Sequence, residues 1–361
     1  SRGVHVKHRY FLEANIWIVS VPYSSIASVF HTRKFLKRII EELCELAPVS
    51  REVVIYDAGM IVAPEKIKGK DLTPVISVLI EFIEYAVKNG KNVIVISPSL
   101  IYGYAQVKGV ANVKGSVVYA LISPVIPLEP PGRLELIDRV LPSNFVGQLI
   151  LDPAGVIKNY IHIGHQRYLS GYGSEEYMLE AGYEPYRLAI FHRDIHRVEP
   201  LLRDTEILSI DLSSVKFSDF RSAVEPQPNG FYSEDMCQIA YYAGLSCDLC
   251  CLGIYGFRPS QSFPSTDIQL ISQVIWHYLD GLSKRIIEKP SSNDSNFVKY
   301  IVPERFTSEV HVFYRSKLTD RWFLQVNESD FIAVSRKDYM DLFNGEVPLR
   351  LLQFRKRQKE N

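Results

Sequence analysis

Residues 204–220 read DTEILSIDLSSVKFSDF. Within this stretch, EILSIDL has the length and the continuous apolar character of a strand that is buried on both faces of a sheet. Asp211 lies at the carboxyl end of this predicted strand. Ligands of open α/β sheets bind at the carboxyl ends of the strands, so the Asp211 carboxylate is a candidate site residue.

Strand-like and helix-like segments alternate on both sides of this stretch. Strand patterns occur in NIWIVSVPY, REVVIYDAG, NVIVIS, GSVVYALIS and CLGIYGF, and helical spacing of apolar residues occurs in HTRKFLKRIIEELCEL, LTPVISVLIEFIEYAVKNG, SEDMCQIAYYAGLS and STDIQLISQVIWHYLDGLSKR. Gly90 is the predicted C-cap of the second helix, and Ser233 is the predicted N-cap of the third. The alternation predicts an α/β fold, a three-layer α/β/α sandwich with a mainly parallel sheet.

The last quarter of the chain has a different pattern. The composition turns polar around KPSSNDSNF, which predicts a linker between an α/β/α domain at residues 1–290 and a small β-containing extension at residues 297–361. VHVFYRSK and DRWFLQV are predicted to form a strand pair. The terminal LRLLQFRKRQKEN holds five basic residues and one acidic residue, and we expect it to be a solvated basic tail behind docked apolar side chains.

Composition excludes some classes of function. The 361 residues carry 41 basic and 41 acidic side chains, so the balance gives no reason to expect nucleic acid as a partner. No apolar run has the length of a membrane span, and no signal-peptide pattern opens the sequence. The five cysteines fit free thiols in a reducing compartment. We therefore expect a cytoplasmic protein without a transmembrane segment.

The run from Ser209 to Pro259 is similar to the last metal-bearing strand, loop and helix of the ureohydrolases, the arginase, agmatinase and formimidoylglutamase family. Within it, PNGFYSED resembles the family's turn before the helix, and LGIYGFRP resembles its next strand. VIYDAGMIVAPE and NVIVISPSLIYGYA precede it in the expected order, so the resemblance extends roughly from Ile16 to Arg285. It is nearest to an arginase-like branch with a C-terminal extension. The resemblance implies an α/β/α fold and a pair of Mn²⁺ ions that activate a bridging water.

The same resemblance implies where the metal ligands should stand. The family's Gly-Gly-Asp-His-Ser motif aligns with residues 97–101, Asp-Ala-His-x-Asp with residues 123–127, and Ser-x-Asp-x-Asp with residues 209–213. The resulting metal-site positions are Leu100, Ser123, Val125, Pro127, Asp211 and Ser213, and the position of the substrate-binding Glu is Gly256. One of the six metal positions keeps a carboxylate, which is too few to hold two divalent cations against hydration. Asp211 is therefore predicted to cap backbone N–H groups or to pair with Arg203 or Arg221.

Three other groups of residues are candidate sites. Cys247 and Cys250 in CDLCC have metal-ligand spacing but no second ligand pair, which favours a structural role over a metal or redox role. His192 and His196 in HRDIH are separated by one helical turn, and their charged neighbours favour an exposed loop or turn. The two histidines of NYIHIGHQRY, His162 and His165, are expected to pack in the core or at the surface.

These observations favour a pseudoenzyme with a ureohydrolase fold. We expect it to have no cofactor and to act as a binding or scaffold component with a protein partner or a second copy of itself. The alternative is an active Mn²⁺-dependent amidinohydrolase acting on arginine, agmatine or formimidoylglutamate. A third possibility is a vacated cleft, lined by Tyr102, Tyr104 and Asp211, that binds a small molecule.

Overall fold

We describe a computed structural model of the chain. The structure describes residues 6–7, 13–22, 26–50, 52–62, 72–128, 140–258, 260, 263–291, 294–304, 309–328 and 330–360. The sequence predicts a loop in the proline-rich segment from Pro124 to Pro142, with room for a helix at RLELIDRVL. Most of that segment, residues 129–139, lies outside the described residues.

Nine strands of the described chain form one sheet in which every pairing is parallel. They are β1 (Val6–Lys7), β2 (Ile16–Ser20), β3 (Ile55–Met60), β4 (Asn92–Ile96), β5 (Val117–Ile122), β6 (Ile157–His165), β7 (Glu184–Arg187), β8 (Ile207–Asp211) and β9 (Cys251–Tyr255). Their order in the sheet is β1-β3-β2-β4-β9-β8-β5-β6-β7. The predicted parallel α/β fold is confirmed.

Helices connect these strands and cover both faces of the sheet. They are α1 (Ile26–Glu45), α2 (Thr73–Lys88), α3 (Gly103–Lys114), α4 (Phe145–Ile150), α5 (Ser174–Glu180), α6 (Leu188–Arg193), α7 (Val198–Arg203), α8 (Ser233–Leu245) and α9 (Ser265–Ser283). Alternate strand residues pack into opposite cores because successive side chains of a strand point to opposite faces. Ile94 and Ile96 belong to one core, and Val93 and Val95 belong to the other. None of the helices in the described ranges combines the length and apolar character that a bilayer span requires.

Two helix caps differ from the prediction by one residue. Tyr232 is the N-cap of α8, where its N–H donates to Asp235 Oδ2 at 3.0 Å, and Ser233 is the first residue of the helix. Asn89 is the C-cap of α2, and Gly90 follows it with a φ of +68°. A left-handed glycine directly after the C-cap is a common way for a helix to end. Gly90 therefore does mark the end of α2, but it follows the C-cap instead of being the C-cap.

The C-terminal part of the chain forms a separate antiparallel sheet of four described strands. They are β10 (Phe297–Pro303), β11 (Val310–Ser316), β12 (Trp322–Gln325) and β13 (Phe331–Val334), in that order. β11 and β12 are the predicted strand pair, and β10 and β13 flank it. The helices α10 (Arg336–Phe343) and α11 (Leu349–Glu360) follow.

The expected solvated basic tail is instead the helix α11. Arg350 is 6% exposed, and its guanidinium lies 3.8 Å from Glu184 Oε2 and 3.7 Å from Asp204 Oδ2. Arg357 lies 3.7 Å from Glu184 Oε1, and Lys356 donates to the Leu179 carbonyl at 2.8 Å. Buried acidic groups at the edge of the large sheet need cationic partners, and α11 supplies them.

Candidate functional site

A cavity of about 700 Å³ opens at the carboxyl ends of β4, β9, β8 and β5, which are adjacent in the centre of the large sheet. The register brings these ends to one level: Ile122 pairs with Ile210, Ile210 with Ile254, and Ile254 with Ile96. The described lining residues are Pro98, Ser99, Leu100, Ser123, Pro124, Val125, Ile126, Pro127, Leu128, Pro142, Ser143, Gly171, Tyr172, Asp211, Ser213, Val224, Glu225 and Gly256.

The cavity brings together positions that the sequence places in three separate motifs and on a fourth strand. All seven of them line it: Leu100, Ser123, Val125, Pro127, Asp211, Ser213 and Gly256. Tyr102 and Tyr104, the candidate pocket lining, are not among its described lining residues. Tyr102 is 1% exposed in the core between the sheet, α2 and α3, while Tyr104 is half-buried near Lys108. The tight turn from Leu100 into α3 directs both tyrosines away from the cavity.

Asp211 lies on the floor of this cavity and is 9% exposed. Its Oδ2 accepts a hydrogen bond from Ser123 Oγ at 3.1 Å, and its Oδ1 accepts one from the Ser213 N–H at 2.9 Å. Burial raises the pKa of this carboxyl, and the hydrogen bonds from the two serines oppose that rise. Asp211 also caps the short 3-10 helix Leu212–Ser214. This is the capping arrangement that was expected for a structural carboxylate.

No arginine contact to Asp211 is present in the described chain, so the predicted pairing with Arg203 or Arg221 does not occur there. Arg203 instead donates to Glu199 Oε1 at 3.0 Å and to the Trp322 carbonyl at 2.6 Å. Arg203 lies at the end of α7, and its guanidinium is directed toward the C-terminal sheet rather than toward the cavity.

Gly256 packs against Oδ1 of the Asp211 carboxylate. Its φ is +79°, a region that residues with a side chain rarely adopt. A Cβ at this position would overlap Asp211 Oδ1 and would lie 3.1 Å from Asp211 Cγ and 3.2 Å from the Leu212 nitrogen. The backbone conformation and the lack of space both disfavour a side chain here, including the glutamate that the family resemblance implies.

A buried histidine supports the floor from behind. His162 is fully buried on β6, with Nε2 3.0 Å from the Ser123 carbonyl oxygen and Nδ1 2.7 Å from the Tyr160 hydroxyl. A carbonyl only accepts hydrogen bonds, so Nε2 carries the proton and Nδ1 accepts from Tyr160. Burial lowers the pKa of His162 to about 3, with a further contribution from His165. His162 thus packs in the core, as its sequence context suggested, and it fixes the carbonyl of the residue that bonds Asp211.

This buried imidazole predicts a pH dependence of folding. The unfolded chain binds a proton at His162 below the ordinary histidine pKa of 6.5, while the folded chain does so only near pH 3. Between these values we expect His162 to lower the free energy of unfolding as pH falls, by up to about 1.4 kcal/mol per pH unit. Urea unfolding of the parent and of His162→Gln at several pH values measures this contribution. Equal slopes for the two proteins over this range would contradict the assignment.

The other motifs lie away from the cavity. Cys251 is buried on β9 and accepts from Gln106 Nε2 at 3.2 Å, while Cys247 and Cys250 contact carbonyl oxygens. These contacts are those of structural thiols. His192 and His196 are exposed, as expected, but they lie in α6 and in the following 3-10 turn rather than in an irregular loop.

A different cluster has the composition of a metal site. Glu304, Glu309 and His311 bring their ligand atoms within 4.8 Å of one another beside the C-terminal sheet. His311 Nε2 lies 2.7 Å from Glu304 Oε2, and Arg355 of α11 contacts all three residues, at 3.0 Å from Glu304 and 3.2 Å from His311. The guanidinium already supplies the positive charge that these carboxylates require.

Several lining residues are not predicted by any sequence pattern, and Glu225 and Tyr172 are two of them. Glu225 belongs to the loop after the 3-10 helix at β8, and its charge contributes to the raised pKa of Asp211. Tyr172 lies in SGYGSEEY, which lacks a dinucleotide-binding pattern, and its side chain is fully exposed at the cavity rim. A loop residue gives no periodic signal, and its approach to a distant strand end depends on the tertiary fold.

Comparison with solved structures gives close matches of fold at low sequence identity. Trypanosoma cruzi formiminoglutamase with Mn²⁺ matches with a TM-score of 0.64 and 18% identity, covering 76% of this chain and 95% of that enzyme. Bacillus subtilis formimidoylglutamase matches with a TM-score of 0.65 and 15% identity, covering 79% and 94%. Bacillus subtilis arginase matches with a TM-score of 0.58 and 12% identity, covering 73% and 98%.

Comparisons of sequence give no match. No family model matches the chain, and no curated protein does. The resemblance is therefore carried by the order of the strands and by the placement of their carboxyl ends. This chain has the α/β fold shared by arginase and formimidoylglutamase.

Proposed function

We propose that this chain is a pseudoenzyme with a ureohydrolase fold. In this proposal it lacks the two-manganese centre and serves as a binding or scaffold component of a protein assembly. The observation that carries the proposal is the state of Asp211. Both of its carboxylate oxygens accept hydrogen bonds, Oδ2 from Ser123 and Oδ1 from Ser213, and Oδ1 is also packed against Gly256.

The donor groups of the described lining do not fit a pair of divalent cations. That lining offers two carboxyl groups, those of Asp211 and Glu225, and neither a histidine nor a cysteine. Two Mn²⁺ ions need several carboxylates and imidazoles to complete their shells and to acidify a shared water. Leu100, Val125 and Pro127 present hydrocarbon where such donors would be needed. This mismatch supports the absence of the hydrolytic centre.

The C-terminal extension offers one exposed aromatic candidate for a partner contact. Trp322, Phe323 and Tyr339, aromatic residues that could have been partner contacts, pack internally, with Tyr339 stacked on Trp322 at 4.8 Å between ring centroids. Phe343 is 63% exposed and remains a candidate contact. The buried contacts of Arg350 with Glu184 and Asp204 attach the extension firmly to the large sheet.

Metal content and hydrolysis test the proposal. After purification with Mn²⁺ we expect manganese far below one ion per chain and no release of urea or formamide from arginine, agmatine or formimidoylglutamate. Asp211→Asn should leave the manganese content unchanged, since Asp211 is a capping residue here. T. cruzi formiminoglutamase, handled identically, is the positive control.

Stoichiometric manganese with turnover would instead establish the amidinohydrolase. Failure to recover a partner or a dimer would contradict the scaffold role.

A further inference from the structure

The walls of the cavity are apolar and stiff. The described lining includes four prolines, Pro98, Pro124, Pro127 and Pro142, together with aliphatic side chains such as Leu100 and Val125. Proline has a fixed φ, so these strand-end loops lose little entropy when a ligand orders them further. A volume of about 700 Å³ lies within the range of sites for small organic molecules. The cavity is therefore suited to an apolar body.

The charged groups among the described lining residues of the cavity all have the same sign. Asp211 lies on its floor and Glu225 on its wall, and no lysine, arginine or histidine is among its described lining residues. Asp211 accepts one hydrogen bond on each oxygen, while a carboxylate offers about four lone-pair sites. The floor thus retains acceptor capacity. A donor, and above all a cationic donor, is the complementary group.

We propose that this cavity binds a small apolar amine. Its ammonium group is directed toward Asp211 and Glu225, and its hydrocarbon body lies against Leu100, Val125 and the prolines. A carboxylate on the ligand is disfavoured, because the described lining provides no cation to pair with it and desolvates it among apolar groups. This inference rests on the proposed function, since it assigns Asp211 to an organic cation instead of to a metal ion.

Three six-carbon probes that differ in the head group test the proposal. Isothermal titration calorimetry with n-hexylamine, 1-hexanol and hexanoate in the presence of EDTA should show binding in that order, with none for hexanoate. Asp211→Asn should weaken hexylamine binding at least about tenfold, the loss expected for a hydrogen bond to a charged group. Glu225→Gln, at an exposed loop residue where folding is not at risk, should weaken it less.

A reversal of charge makes the test specific to this site. Val125→Lys places a cation on the cavity wall, and we expect it to abolish hexylamine binding and to permit hexanoate binding. Val113→Lys, on the exposed face of α3, is the matched control and should change neither. Equal binding of hexylamine and hexanol, no binding of hexylamine, or an unaltered preference in Val125→Lys would each overturn the proposal. EDTA keeps metal out of these measurements, so a failure of the pseudoenzyme assignment appears separately in the manganese and turnover assays.

Discussion

Gly256→Ala is expected to lower the free energy of unfolding by about 2–5 kcal/mol. Two costs add at this position. A φ of +79° disfavours any residue with a side chain by about 1–2 kcal/mol. The new Cβ must also displace the Asp211 carboxylate, which would strain or break its hydrogen bonds from Ser123 and Ser213, at about 1–3 kcal/mol. Chemical denaturation in urea measures the sum.

Gly173→Ala separates the two costs. Gly173 has a φ of +84°, close to that of Gly256, but no atom lies within 4 Å of its ideal Cβ. It should therefore show the backbone cost alone, about 1–2 kcal/mol. If Gly256→Ala and Gly173→Ala lower the free energy of unfolding by the same amount, the close approach of Asp211 to Gly256 contributes nothing to the cost. Gly256→Glu, which restores the residue implied by the family resemblance, should be at least as destabilised as Gly256→Ala and should gain no hydrolytic activity.

Arg350→Met is expected to lower the free energy of unfolding by about 3–5 kcal/mol. Its guanidinium inserts from α11 among Glu184, Asp204 and the Pro200 carbonyl. Glu184 is fully buried, and without Arg350 it keeps one cationic partner among the described residues, Arg357 at 3.7 Å. The loss of one of the two counter-charges of a buried carboxylate is costly, while the methionine side chain preserves most of the volume.

A surface ion pair provides the comparison. Lys337 and Asp341 lie one turn apart on α10, 2.6 Å between Nζ and Oδ1, with the lysine half exposed. Lys337→Met should cost about 0.5 kcal/mol or less, because solvent screens exposed pairs. Unfolding is followed by tryptophan fluorescence, to which Trp322 of the C-terminal sheet contributes together with Trp17 and Trp276, and by circular dichroism, which reports on the whole chain. Unchanged stability of Arg350→Met by both probes would show that the Arg350 ion pairs contribute nothing to the fold.

Periodicity predicted the strands whose side chains are apolar on both faces, and it failed where polar residues interrupt them. β6 and β7 were missed because Asn159, His162 and Glu184 occupy buried positions on them. Each of these residues has a hydrogen-bond partner on another element: Asn159 Nδ2 donates to Glu184 Oε1 at 2.8 Å, and His162 bonds the Ser123 carbonyl. A buried polar residue is compatible with a strand only if its partner is present. That partner is distant in sequence.

The sequence by itself determined the alternation of strands and helices, and with it the parallel sheet, because the spacing of apolar residues decides which faces are buried. It also determined that aliphatic, proline and serine side chains occupy positions at which the family resemblance implies metal ligands. Only the tertiary structure decided that these positions meet in one cavity, that Asp211 is capped by Ser123 and Ser213 rather than by an arginine, and that the basic end is a docked helix. Each of these three outcomes depends on contacts between residues that are far apart in the chain. For the cavity, the register of the central strands fixes the geometry of those contacts.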